Sequence, residues 1–210
     1  MTVRSPDRPA TYARARGLFP RVVEPFSRRA RTNRIEQFRA LTGAGPKTRI
    51  VDIGCGGIGL ISLAPDLDVT GVDLQERPEY PGVLVQADAT VRLPFADDEF
   101  EIAYCNSVIE HIDPARREGF ARELRRVARG WYVQTPALSF PVEPHSLLPA
   151  AHWLPRSVRR RYWRLGAGSD VDEINLLSRK EFEKLFGRVF RERFGPLTKS
   201  WISVQTPGSG

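Results

Sequence analysis

The side chains best suited to chemistry are acids that close short apolar runs. Ile50-Val51-Asp52 leads into Ile53-Gly54-Cys55-Gly56-Gly57-Ile58-Gly59-Leu60. A β-branched run that ends in an acid and a glycine cluster reads as a buried parallel strand emptying into a tight loop and a helix. Glycine there takes positive φ and lets a ligand come up to the backbone. The amides of such a loop and of the next helix N-terminus face whatever binds. Asp73 closes a second run, Val69–Asp73, twenty-one residues after Asp52. An acid at that distance, at the tip of the second strand, is placed to accept both hydroxyls of a ribose. Asp88 closes a third run, Val83–Asp88, and a fourth, Glu101–Asn106, passes into Ser107-Val108-Ile109-Glu110-His111.

The elements that must hold these residues follow in order. Met1–Pro9 is polar and reads as a frayed end. Thr11–Arg16 suits a short helix before Gly17 and Pro20. Phe26–Leu41 reads as a longer helix, with Phe26, Ala30, Ile35, Phe38 and Leu41 as its apolar contacts and Ser27 as its cap. Tyr12, Phe19 and Phe26 are expected to anchor this segment to the core. Glu76–Pro81 is turn-rich, so the crossover after the second strand is expected to lack a helix. Pro114–Ala128 is an amphipathic helix with Phe120, Leu124 and Val127 on one face. Its arginines, Arg117, Arg122, Arg125, Arg126 and Arg129, are expected on a solvated surface, with Gly130 closing the helix. Trp131–Thr135 is a fifth strand. Pro136–Pro155 is proline-rich, has no period, and carries Glu143, His145 and His152; a long segment of this kind is often functional. Val158–Leu165 is basic and aromatic. Ser178, with Glu181 three residues on, forms a capping box. Arg188–Phe194 and Ser200–Gln205 read as a terminal hairpin.

At 210 residues the chain suffices for one α/β domain with a sizeable core. Its formal charge of +7 is unevenly placed: residues 1–49 carry +9 and the rest −2. The basic character belongs to the N-terminal segment, read first as a solvated arginine-rich arm, and it also suits a peripheral contact with an anionic membrane or nucleic acid. No apolar run approaches the roughly 20 residues of a membrane span, and the arginine-rich N-terminus has no apolar signal core. Two cysteines make no disulfide framework, so a reducing cytoplasm is the expected location.

Over Arg49–Val133 the order, spacing and residue type at four strand ends resemble the class I S-adenosylmethionine-dependent methyltransferases, in their small single-domain branch. The resemblance implies an α/β, doubly wound Rossmann-like fold: a seven-stranded, mostly parallel sheet of order 3-2-1-4-5-7-6 with the last strand antiparallel. It divides the chain into a basic helical arm (1–45) and a methyltransferase domain (46–206), with 136–177 as an insertion or lid on the substrate side. Its cofactor is S-adenosyl-L-methionine. Gly54, Gly56 and Gly57 would give backbone room for the methionine part and the ribose, Asp73 would hold the ribose hydroxyls, Asp88 with Ala89 would meet the adenine edge, and Asn106 and Ser107 would sit under the methionyl and sulfonium end. Asp52 would order the loop or reach the amino group through water, and Cys55 and Leu74 complete the cofactor-binding set. His145 and His111 are the candidate proton acceptors. No metal site is expected, since the histidines are few and badly spaced. The family loop runs Asp-x-Gly-x-Gly-x-Gly; here Ile58 stands at the third glycine position, so the loop is re-spaced. Neighbouring first and fourth strands would bring Cys55 and Cys105 close together, reduced, beside the pocket.

The activity so implied is methyl transfer to an oxygen, nitrogen or carbon of a small-molecule or lipid-linked acceptor. One alternative is an RNA or protein methyltransferase gripping its substrate with the N-terminal arginines. No Asn/Asp-Pro-Pro-Tyr-like motif follows the fourth strand, which disfavours it. A second alternative is a binding protein that keeps the cofactor site without turnover. A nicotinamide-dependent oxidoreductase uses a similar loop but fits Asp88 and Leu93–His111 less well.

Overall fold

β1, Arg49–Ile53, is buried at four of its five positions because it is an interior strand of a sheet covered on both faces. The computed structural model describes residues 32–143, 145–146, 148–165 and 174–208. The expected helix at Thr11–Arg16, the start of the Phe26 helix, and Tyr12, Phe19 and Phe26 lie outside the described residues. The described residues fall into two compact units. One is drawn from Pro141–Asp172, the other from Ala30–Phe140 and Glu173–Gly210.

The second unit contains the sheet. Besides β1 its strands are β2 (Asp68–Asp73), β3 (Val83–Gln86), β4 (Phe100–Asn106), β5 (Ala128–Pro136), β6 (Val189–Phe194) and β7 (Leu197–Gln205). Their order is β3-β2-β1-β4-β5-β7-β6. β7 runs antiparallel to both neighbours, and the other pairings are parallel. This is the expected fold. Alternate residues of one strand serve two cores: Val51, Ile53, Ala103 and Cys105 face one cluster, Ile50, Ile102 and Tyr104 the other. That division is why the strands read as unbroken apolar runs rather than alternating ones.

Helix α1 covers 32–42 and α2 covers Gly59–Leu63. Phe38 of α1 is fully buried and meets Tyr104 and Tyr132 edge-on, with ring centres 5.1 and 5.5 Å away. Those two tyrosines, partners in the β4–β5 register, stack on each other, so one phenylalanine ties the helix to two strands. The crossover from β2 to β3 has no helix. Tyr80 fills the space instead: a Cβ on Gly59, Gly71 or Gly82 would lie 2.5, 2.6 or 3.4 Å from its ring. Three glycines thus make the slot for one aromatic wedge.

α3 spans Arg117–Val127 after a 3-10 turn, Pro114–Arg116, that is capped by the Asp113 carboxylate. Arg122, Arg125 and Arg129 are exposed, as expected, whereas Arg117 and Arg126 depart from the solvated surface. Arg117 is buried and donates to the carbonyls of Ile112 and Asn175 at 3.1 and 2.5 Å. Arg126 donates to Glu123, to Asp97 and to the carbonyls of Phe95 and Leu93, clamping the loop ahead of β4. Arg125 lies over the rings of Trp131 and Phe186 and donates to the Leu185 carbonyl. The planar guanidinium meets several carbonyls at once, which suits it to such positions.

Gly130 is also placed differently from its reading as a helix terminator. α3 ends at Val127 and β5 begins at Ala128, so Gly130 lies within the strand. A Cβ there would stand 2.4 Å from the Gln205 carbonyl oxygen and 3.0 Å from Pro207. Those are backbone and ring atoms that cannot step aside. Gly130→Ala is expected to cost about 3 kcal/mol and to lower Tm by roughly 6–12 °C, read by thermal melting; an unchanged Tm would refute the clash.

α5, Arg179–Phe186, carries the expected capping box, with Ser178 Oγ accepting from the Glu181 amide and Glu181 accepting from the Ser178 amide. In the other unit, Val142 and Pro149 form an isolated bridge, a 3-10 turn covers Ala151–Trp153, and α4 spans Arg156–Trp163. No helix among the described residues is long and apolar enough to cross a membrane.

Candidate functional site

The carboxyl ends of β1, β2 and β4 and the loop after β3 open onto a cavity of about 380 Å³, within the roughly 300–1,000 Å³ of small-molecule sites. Its position is dictated by the sheet: loops after β1 and β4 leave in opposite senses, which opens a crevice at the strand ends. Gly54, Gly56, Asp73, Leu74, Asp88, Ala89, Ser107 and His111 all line it. Residues distant in sequence are therefore brought to one wall.

Asp73 is the organising group. Its Oδ2 accepts from the Gly56 amide at 2.9 Å, and its Oδ1 accepts from the Gln75 amide at 2.9 Å and Arg77 Nε at 3.2 Å. One carboxylate thus joins the loop after β1 to the loop after β2. Gly56 holds φ +58 and a Cβ there would meet nothing within 4 Å. Its backbone thus borders open space, and Asp73, though buried, lines the same cavity. Gly54 is needed for a different neighbour: a Cβ would stand 2.4 Å from Val108. The amides of Gly54 and Cys55 both donate to the Val72 carbonyl.

The re-spaced loop resolves at Gly59. Positive φ occurs at Gly54, Gly56 and Gly59, and Ile58 is the residue before α2. Gly57 has no such φ, and a Cβ on it would meet the Glu79 carboxylate. Asp52 turns inward: it is buried and its Oδ2 accepts from the Leu60 amide at 2.6 Å, fixing the first turn of α2. Burial pushes its pKa up to about 7, opposed by the Leu60 hydrogen bond and assisted by the negative charge of Asp73. Asp52, Cys55, Gly57 and Asn106 do not line the cavity.

Asp88 is held tightly. Its Oδ1 accepts from the amide and hydroxyl of Thr90 and its Oδ2 from Arg116 at 2.6 Å. Burial alone would raise its pKa, but the Thr90 and Arg116 bonds outweigh that and leave it below the usual range. Ser107 takes φ +56 at the end of β4, an unusual backbone for a residue other than glycine, and its amide donates to the Gln134 carbonyl. Beside it the Asn106 Oδ1 is buried without a hydrogen-bond partner among the described residues.

The cavity also has walls that local sequence did not reveal: Gln75, Arg77, Val108, Ile112, Arg116 and Phe120. Arg116 meets Asp88 across 28 positions, a pairing with no local signal. Of the histidines, His111 is an exposed cavity residue at the end of the 3-10 turn Ile109–His111. His145 belongs to the other unit, where its Nδ1 lies 2.7 Å from Glu143 Oε1. Burial would raise the Glu143 carboxyl, yet bonds to His145 and Ser146 hold it low. Cys55 and Cys105 are both buried free thiols, and burial raises the pKa of each, so neither is an activated nucleophile.

Set beside known proteins, residues 51–130 match the family model described as Methyltransferase domain. No curated protein matches the chain. Among solved structures, a protein from Pyrococcus horikoshii OT3 is similar at 17% identity and TM-score 0.56, covering 92% of this chain and 100% of its own. Magnesium protoporphyrin IX methyltransferase from Synechocystis PCC 6803, with bound S-adenosylhomocysteine, is similar at 12% identity and TM-score 0.56, covering 92% and 91%. Geranyl diphosphate C-methyltransferase from Streptomyces coelicolor A3(2) is similar at 16% identity and TM-score 0.55, covering 89% and 72%.

Proposed function

From the premise that this chain carries a class I S-adenosylmethionine-dependent methyltransferase domain, we propose that it methylates an oxygen, nitrogen or carbon of a small-molecule or lipid-linked acceptor. The observation that carries the reading is the Asp73 carboxylate, joined to the Gly56 amide at the edge of an open cavity. Asp73 would take the ribose hydroxyls. Asp88 and Ala89 would meet the adenine edge, and Ser107 would serve the methionyl end. When bound, the cofactor would supply a methyl on a sulfonium sulfur, which the acceptor's nucleophile would take in line as the carbon–sulfur bond breaks and S-adenosylhomocysteine leaves. The chain's own task is then to orient donor and acceptor, exclude water and, where the acceptor is an acid, receive its proton. His111, on the cavity wall, and His145, paired with Glu143, are the two candidates for that proton.

The acceptor class is an inference from chemistry compatible with this fold. Proteins of the same fold act on geranyl diphosphate and magnesium protoporphyrin IX by their names, and a fold alone does not choose a substrate. Calorimetry with S-adenosylmethionine and S-adenosylhomocysteine should give one saturable site. Methyl release should then appear with a small hydroxyl, amine or isoprenoid acceptor. Binding without turnover over such a panel would leave a cofactor-binding protein, and no binding at millimolar cofactor would end the proposal.

A further inference from the structure

We propose that the surface around α4 docks on an anionic lipid bilayer. Val158 and Tyr162 lie four positions apart on one face of α4, and Leu165 follows in the turn just past its end. Val158 and Leu165 are 51% and 77% exposed, and Trp153, in the turn that leads into α4, is 53% exposed. Arg160, Arg161 and Arg164 are exposed too, and Arg161 borders the Val158 face. The inner side of the helix is marked by buried Trp163. Apolar and basic side chains of this segment are thus both exposed. An apolar stripe bordered by arginines is the pattern of a segment that lies in the plane of a membrane interface, aliphatic side chains in the acyl boundary and guanidinium groups among the headgroups.

Charge complementarity selects acidic headgroups, and the apolar stripe selects lipid over nucleic acid. A nucleic acid would reward the arginines and one stacked aromatic ring, but would gain nothing from Val158 and Leu165. The surface involves no cavity-lining residue, so the proposal stands apart from the identity of the methyl acceptor.

The test uses the full chain and co-sedimentation with phosphatidylcholine vesicles, with and without about 30% phosphatidylserine. Association with the acidic vesicles is expected, weakening as salt rises. R160Q/R161Q/R164Q should lower the partition coefficient on the order of 100-fold, since each arginine near such a surface is worth about fivefold. V158S/L165S should lower it about tenfold, and cofactor calorimetry on both variants confirms that the site is intact. Equal partition to neutral and acidic vesicles, or variants that sediment like the original chain, would overturn the proposal. So would binding of a short RNA that needs the arginines but ignores the serine variant, with no vesicle association.

Discussion

Asp73→Ala should abolish measurable cofactor binding under conditions where the unmodified chain saturates. The carboxylate holds the Gly56 and Gln75 amides at 2.9 Å each and faces the cavity. Charge-assisted hydrogen bonds are worth about 1.5–3 kcal/mol each, and on the proposed function the truncation would also remove the acceptor for the ribose. Affinity is expected to fall at least about 100-fold by calorimetry. Asp73→Asn keeps one acceptor oxygen and should lose about tenfold. Arg77→Ala offers the contrast. An ionised carboxylate has about four acceptor positions, and three are filled by Gly56, Gln75 and Arg77. Two ribose hydroxyls need two, so Arg77 must yield its place, and its loss should change affinity less than about threefold. A loss at Arg77 equal to that at Asp73 would mean that the carboxylate is a loop brace and the ribose binds elsewhere.

Asp52→Asn should stabilise the protein at pH 8 while leaving it unchanged at pH 4. The carboxyl is buried, and its folded pKa is raised from 3.8 to about 7, mainly by burial. Between those values the folded state binds more protons than the unfolded chain, so stability falls as pH rises. The stabilising contribution of the protonated form is fully present below about pH 4 and is lost as pH passes 7. The whole span corresponds to at most about 4 kcal/mol. Asparagine keeps an oxygen for the Leu60 amide and carries no charge, so it removes the penalty. Thermal melts of both proteins from pH 4 to 8 decide the matter: curves that diverge with rising pH support the raised pKa, and parallel curves refute it.

The division between what the chain announces and what folding decides runs along sequence distance. Four apolar runs, each closed by a polar residue, determined the parallel core and its order through the resemblance they carry, because strand period and loop chemistry are local. The Ser178–Glu181 box was legible for the same reason, its two partners being one helical turn apart. Tertiary structure alone decided matters that depend on a distant neighbour. Periodicity placed Arg117, Arg125 and Arg126 off the apolar face of α3, but carbonyls of other segments and two aromatic rings give them their partners. Gly130 resembled a helix stop, yet its reason is the Gln205 carbonyl on another strand. The glycine loop showed its altered spacing in sequence. Only the fold shows that Gly59 takes the third left-handed position and that Tyr80 packs against it. Acids at strand tips likewise signalled a site, but a linear pattern specifies which residue types end the strands, not the direction each carboxylate turns. Asp73 meets the cavity and Asp52 the Leu60 amide, because hydrogen-bond donors brought in from other parts of the chain claim their oxygens.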